Sequence, residues 1–420
     1  MSCNWRKMTL KEAGVILIDC DHKTPKAQES GKPYVGIPQL KDCRITLDGA
    51  RLISEEDFVH WRRKAKPQEH DVILSRRCNP GETGYVTGDL EIALGQNLVL
   101  LRSDGETIYP PFLRWLTRGK YWWNQVDAFI NVGAVFESLK CADIPKFEIL
   151  VPSLEEQKLL TACMSSLDDK IALNTLTNQT LEQMAQTIFK SWFVDFEPVK
   201  AKMNGAQPEG MDAATASLFP EKLVESELGL IPEGWELTNI GKVSECFDKK
   251  RIPLSKRQRE QKQGSIPYYG ATSVMDYVDE AIFDDIYLLI GEDGSVMKDD
   301  GTPFIQYIWG PAWVNNHAHV LQGIKSISTE QLMLFFQQTN INAYVTGAVQ
   351  LKINQRNMNS IPFIKAPKEI NERFYDVVAP LYAKIRAIKE ENEQLAKLRD
   401  TLLPKLLSGE IELETATENK

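Results

Sequence analysis

The 420-residue sequence has no run approaching the roughly 18 apolar residues that a membrane-spanning helix needs. Its first residues mix Arg6, Lys7, Lys11 and Glu12 without the apolar core of a secretory signal, so a soluble protein of the cytoplasm is expected. Seven cysteines (Cys3, Cys20, Cys43, Cys78, Cys141, Cys163 and Cys246) include no Cys-x-x-Cys pair. That excludes an even disulfide framework and points to reduced thiols rather than a zinc centre. Cations are in the minority: 49 Lys and Arg against 58 Asp and Glu leave a net charge of −9. Affinity for a polyanion comes from Lys and Arg, so this balance argues against one at face value, although the field at one surface depends on where the charges lie. With 43% hydrophobic residues the chain is neither disordered nor fibrous, and it is long enough for two ordinary domains plus helices.

The strongest pattern present is a 3.5-residue repeat between residues 154 and 193. Leu160, Met164, Leu167, Ile171, Asn174, Asn178, Leu181, Ala185 and Ile188 alternate four and three residues apart, laying one seam along a supercoiling helix. Residues 214 positions further on repeat it: Phe374, Val378, Leu381, Ile385, Ile388, Asn392, Leu395, Arg399 and Leu402, broken only at Arg399, with Leu398 beside it. Asn178 and Asn392 are equivalent, and a polar seam residue of this kind fixes register. The same shift relates residues 71–74 to 285–288 and 133–135 to 347–349. Trp5 and Trp235, Pro33-Tyr34 and Pro267-Tyr268, and Ile144-Pro145 and Ile361-Pro362 match with slightly larger shifts, as loop insertions produce. The plan is an internal duplication of globe, helix, globe, helix.

Within the first globe, residues 15–18, 72–74 and 98–101 are short apolar runs that predict strands. Ser54 before Glu55, Glu56 and Asp57 predicts a helix start, with Arg62, Arg63, Lys64 and Lys66 in the last turn on a solvated face or against phosphate. A second helix is predicted over residues 111–122. Arg76 and Arg77 leave the strand at 71–74 and are candidates for bidentate contact with guanine or phosphate. In the second globe Lys249, Lys250, Arg251, Lys256, Arg257 and Arg259 lie in what reads as a mobile loop. With Lys298, they complete the candidate phosphate-binding set. Residues 291–295 occupy the place of Arg77 and its loop with different chemistry, which predicts two different readers on one scaffold. Trp192, Phe193 and Phe196, at the end of the first long helix, are candidates for docking a partner or for packing within the chain.

Catalytic patterns are lacking. Tyr109-Pro110-Pro111-Phe112 has the tail of an amino-methyltransferase motif, but Tyr109 has no carboxamide or carboxylate to accept from a target amino group. No glycine-rich loop fits S-adenosylmethionine, and residues 234–242 have the wrong spacing for a phosphate-binding loop. Asp284, Asp285, Glu292 and Asp293 lack the lysine that a metal-dependent nuclease needs two residues on. His317 and His319 alternate along a predicted strand, with no third metal ligand evident from spacing.

The chain resembles the specificity subunit of type I restriction-modification systems over nearly its whole length. The resemblance is carried by residues 152–157 opening the first long helix (PSLEEQ) and 189–198 closing it (FKSWFVDFEP). It extends to 223–229 before 231–235 (LVESELG, IPEGW) and to 398–410 (LRDTLLPKLLSGE). It implies an α+β fold: two tandem α/β target-recognition domains separated by two long antiparallel coiled-coil helices with a pseudo-two-fold internal repeat. The boundaries expected are 1–152 for the first domain, 153–199 for the central helix, 200–232 for a linker, 233–367 for the second domain, 368–412 for the second helix and 413–420 for an acidic tail. Lys368-Glu369 departs from the family's usual Glu-Gln opening of the second helix.

By the same resemblance, each domain reads half of a split, asymmetric duplex DNA site, and the helices seat two modification subunits that use S-adenosylmethionine to methylate adenine N6. Restriction subunits using ATP and magnesium then join them. This chain would hold no cofactor, no metal and no catalytic site. A helix from residue 155 to 190 extends about 54 Å, which caps the separation of the half-sites at roughly 15 base pairs. The alternative from another class is a coiled-coil adaptor that binds only proteins; a self-contained methyltransferase or nuclease is disfavoured by the missing motifs.

Overall fold

The structure is a computed structural model that describes residues 5–88, 90–132, 136–347 and 350–413. Cys3, the matched residues 133–135 and 348–349, and the acidic tail beyond residue 413 lie outside the described residues. The chain forms two compact units, Met1–Leu173 with Glu391–Lys420, and Asn174–Glu390. Each unit therefore holds one α/β domain and part of both long helices.

In the first unit β1 (Val15–Asp19), β2 (Val72–Ser75), β3 (Thr83–Tyr85) and β4 (Leu98–Ser103) form an antiparallel sheet in the order β1-β4-β2-β3. The two central strands are apolar at nearly every position because both faces are covered. Val72, Leu74, Val99 and Leu101 face a helical core containing Phe112, Trp115 and Trp122, while Ile73, Leu98 and Leu100 face Val35 and Leu94. Strand Arg6–Thr9 pairs with Glu148–Val151, and Lys32–Val35 runs parallel to Ala93–Leu94.

The second unit repeats this plan strand for strand. β5 (Ser244–Cys246), β6 (Tyr287–Gly291), β7 (Ile305–Ile308) and β8 (Ala318–Gly323) are ordered β5-β8-β6-β7. Glu236–Asn239 pairs with Pro362–Lys365, and Gln263–Tyr269 runs parallel to Pro311–Val314. Pro33-Tyr34 and Pro267-Tyr268 sit on equivalent strands, and Trp5 and Trp235 precede equivalent ones.

Two matches need correction. The ladders put Val72 opposite Leu101 and Leu288 opposite Leu321, so β2 and β6 correspond two residues further on than the sequence match, a shift that preserves which face each side chain takes. Ile144-Pro145 lies in the 3-10 turn Ile144–Lys146 whereas Pro362 opens a strand, so that turn corresponds to the helix Gln355–Asn359 instead.

The first long helix is Leu154–Phe189 and the second is Lys368–Leu407, ending short of the expected residue 412. Within each unit the two helical segments run antiparallel. Lys170 pairs with Glu391 and Asp168 with Arg399 in the first unit, Glu182 pairs with Lys389 in the second, and Phe189 meets Phe374 there. Leu160, Met164, Phe374, Val378 and Ile385 are buried; Asn178 is buried as well. Leu167, Ile171, Leu181, Ile188, Leu381, Asn392, Leu395 and Leu402 are half-buried.

Arg399 was the apparent break in the seam, yet it turns inward while Leu398 is 46% exposed. Its Nη1 donates to Oδ1 of buried Asp168 at 2.9 Å, and Arg114 donates to Oδ2 at 2.7 Å, with Arg44 at 3.5 Å. One carboxylate thus gathers three guanidinium groups from different elements of the first unit.

Local sequence explains where elements stop. Ser54 caps the helix Glu55–Trp61 by accepting from the Asp57 amide, and the basic run starts at Arg62, just past its last residue, rather than within its last turn. Arg62 stacks on Phe58, and Lys64 pairs with Asp21. The helix expected over residues 111–122 is broken into Leu113–Leu116 and Lys120–Phe129. Gly119 sits at the break, where a Cβ would lie 2.8 Å from the Leu407 side chain.

Candidate nucleic-acid interface

The loops that leave β2 and β6 are built on one backbone frame. The Arg76 amide donates to Asn97 O at 2.9 Å and its carbonyl accepts from the Leu139 amide at 2.9 Å. The Glu292 amide likewise donates to His317 O at 2.8 Å, and its carbonyl accepts from the Ile353 amide at 2.9 Å. Arg76 and Glu292 are therefore the same structural position carrying opposite charge. Arg77, next in the first loop, is exposed, and Trp122 Nε1 pins the loop by donating to Gly81 O at 3.0 Å. Gly81 has φ +98°, and a Cβ there would meet Trp123 and Val126 within 3 Å.

Among the sequence candidates, Arg77, Lys249, Lys250, Lys256, Arg257 and Lys298 are exposed and make no ion pair among the described residues. Lys250 lies over the Phe247 ring. Three candidates face inward instead. Arg76 is 9% exposed, with its Nε lacking a hydrogen-bond partner. Arg251 donates to Glu292 at 2.7 Å and to Ala318 O, and pairs with Asp248 at 3.2 Å. Arg259 donates to Asp276 at 2.8 Å and to Leu254 O, and lies over Tyr268. These two guanidinium groups hold the domain together and are not free for phosphate.

The stretch read as a mobile loop contains the helix Lys256–Gln261, started by Ser255, whose hydroxyl accepts from the Gln258 amide in a capping box. Helical spacing separates the cluster, with Lys256 and Arg257 on the outer face and Arg259 on the inner one. Arg259 also ties this helix to strand Val274–Val278, on which Met275 and Tyr277 are more than half exposed. Their place beside the exposed cations has no signal in the sequence, where a lone Met or Tyr is unremarked.

Trp192, Phe193 and Phe196 are each 7% exposed, so the packing role holds and partner docking through them is corrected. A wider, π-type turn over Lys190–Val194, followed by Phe196 at φ 53°, folds the chain back on itself. Trp192 meets Phe219 and Phe374, Phe193 meets Phe374 and Trp235, and Phe196 meets Trp235, all within 6 Å between ring centres. Offset and edge-on pairs of this kind add roughly 0.5–1.5 kcal/mol each beyond area burial.

A polar cluster lies under the exposed cations. His319 on β8 is 1% exposed, its Nε2 is 2.9 Å from Ile353 O and its Nδ1 is 2.5 Å from Asp248 Oδ2. Asp248 Oδ1 accepts from the Val320 amide at 3.0 Å. Burial acts to raise the Asp248 carboxyl, but hydrogen bonding and charge from His319, with help from Val320 and Arg251, hold it below its ordinary range. Cys246 on β5 places its Sγ with these ligand atoms, all within 4.8 Å of one another. Burial, reinforced by Asp248, pushes its thiol up to about 12. Spacing had revealed no third partner for His317 and His319; His317 pairs outward with Asp293, and only His319 joins this cluster.

Residues 4–183 and 232–397 match the family described as the type I restriction modification DNA specificity domain. The HindI type I restriction enzyme specificity subunit of Haemophilus influenzae is 26% identical over 81% of this chain and 86% of its own length. The MjaIX specificity subunit of Methanocaldococcus jannaschii is 25% identical over 68% of this chain and 65% of its own. The fold matches the S subunit of a type I restriction-modification system from M. genitalium with a TM-score of 0.51 and 14% identity, covering 99% of this chain and 97% of that one.

Proposed function

The chain belongs to the type I restriction-modification DNA specificity family, and from that membership we propose that its two α/β domains read the two halves of a bipartite, asymmetric duplex site. The observation that carries this reading is the shared frame at Arg76 and Glu292, with the same backbone hydrogen bonds and opposite side-chain charge. A duplicated reader with identical loops would favour a palindrome; one with divergent loops favours two unlike half-sites.

Exposed Lys249, Lys250, Lys256, Arg257 and Lys298 would supply phosphate contact in the second domain, and Arg77 in the first. A net charge of −9 does not oppose this, because these cations are local and make no ion pair among the described residues, while Arg251 and Arg259 are neutralised inside. The long helices would seat two modification subunits. Those subunits would supply S-adenosylmethionine and methylate adenine N6, and restriction subunits using ATP and magnesium would complete the cutting complex. The chain itself supplies address and assembly in the cytoplasm, without a catalytic site. No helix among the described residues is long and apolar enough to cross a membrane.

The direct test is binding of a complex of this chain with its modification subunits to duplex DNA across a salt series. Affinity that falls steeply and linearly on logarithmic axes supports phosphate contact. Affinity indifferent to salt would return the adaptor reading, in which only proteins are bound.

A further inference from the structure

We propose that Cys246, Asp248 and His319 form a site for a divalent transition metal of the zinc type, at the root of the exposed basic segment of the second domain. The first argument is the donor set. A thiol sulfur, an imidazole nitrogen and a carboxylate oxygen lie within 4.8 Å of one another, on β5, the turn after it and β8. Three protein ligands of these types with a fourth position free are a common zinc arrangement.

The second argument is the orientation of His319. A carbonyl oxygen can only accept, so Nε2, 2.9 Å from Ile353 O, must be the donor. That bond turns Nδ1 toward Asp248 and Cys246, and a backbone carbonyl on the far nitrogen is the usual outer support of a metal-bound histidine.

The third argument is charge. Asp248 and Glu292 bring two carboxylates to the cluster against one guanidinium, that of Arg251, and Glu292 Oε2 is 3.7 Å from His319 Nδ1. Binding a dication sends the Cys246 thiol proton to solvent as the sulfur–metal bond forms, and His319 offers the Nδ1 lone pair. The thiolate and the two carboxylates then offset the added charge. Arg251 keeps its bonds to Glu292 and Ala318 O, so the metal need not expel it. The Asp248–His319 contact opens by about 1 Å to the roughly 3.5 Å edge of a tetrahedral site.

The test uses the untagged full chain, stripped with a chelator and titrated with cobalt(II) as the probe. The expected result is one equivalent bound, with near-ultraviolet thiolate-to-cobalt charge-transfer absorption. Zinc should displace the cobalt and raise the melting temperature of the second domain. Cys246→Ser keeps the size of the side chain and should abolish the charge-transfer band, and Asp248→Asn should weaken binding by at least about tenfold. If the wild-type chain binds no cobalt, or if Cys246→Ser binds with the same spectrum and affinity, the cluster is an ion pair and the proposal is overturned. The outcome does not depend on the DNA reading, since neither readout involves nucleic acid.

Discussion

At the scale of single residues, the side chains that matter most for integrity are polar ones that the sequence pattern treats as exceptions. Asp168 is buried, with three guanidinium groups converging on it. Removing its charge leaves Arg114, a largely buried guanidinium, without its anion, while Arg399 keeps Asp400 and Arg44 is half exposed; breaking such a buried pair typically costs about 3–5 kcal/mol. Asp168→Asn is expected to lower the stability of the first unit by that amount in denaturant unfolding; a loss below about 1 kcal/mol would contradict the account. Trp192 makes the opposite point for aromatics. Trp192→Ala should cost about 3–5 kcal/mol as a core truncation. A variant of unchanged stability that fails only to bind modification subunits would instead restore the docking role.

At the scale of elements, the basic helix Lys256–Gln261 divides its charges by face, and the consequences of mutation should divide with them. Lys256→Ala and Arg257→Ala should leave unfolding unchanged and each reduce the slope of log affinity against log salt by about 0.9 if each touches one phosphate. Arg259→Ala, which deletes the link to Asp276 and Leu254 O, should lower stability first. Equal effects of all three on the salt slope alone would overturn this division.

Periodicity made the long helices and central strands legible, because seam spacing and runs such as residues 72–74 are local signals. What was illegible depended on tertiary contact. The choice of Arg399 over Leu398 for the inside is set by Asp168 far away in the sequence. The close approach of the Leu407 side chain to residue 119, at the break, leaves little room for a Cβ there. The inward turn of Arg251 requires Glu292, 41 residues away in the sequence, as well as nearby Asp248. Basic clusters in sequence counted all these arginines alike, and only burial separates those that build the domain from those free to bind.

At the scale of the whole molecule, the duplication was readable as a repeat with a shift near 214, and the matching strand orders give it structural form. The repeat conserves backbone frame and varies surface chemistry, which is what two independent readers require. If the helices set the unread gap, inserting seven residues at matched points of both should lengthen it by about three base pairs, from about 1.5 Å per residue and 3.4 Å per base pair. An unchanged gap would remove the helices from that role. The most direct measurement of the central claim is adenine-methylation mapping of genomic DNA from cells carrying this chain with its modification subunits, compared with cells lacking only this chain. The account predicts a bipartite motif with two unlike halves that disappears with the chain. Active modification subunits that methylate no chain-dependent motif, or a motif that persists without the chain, would contradict it.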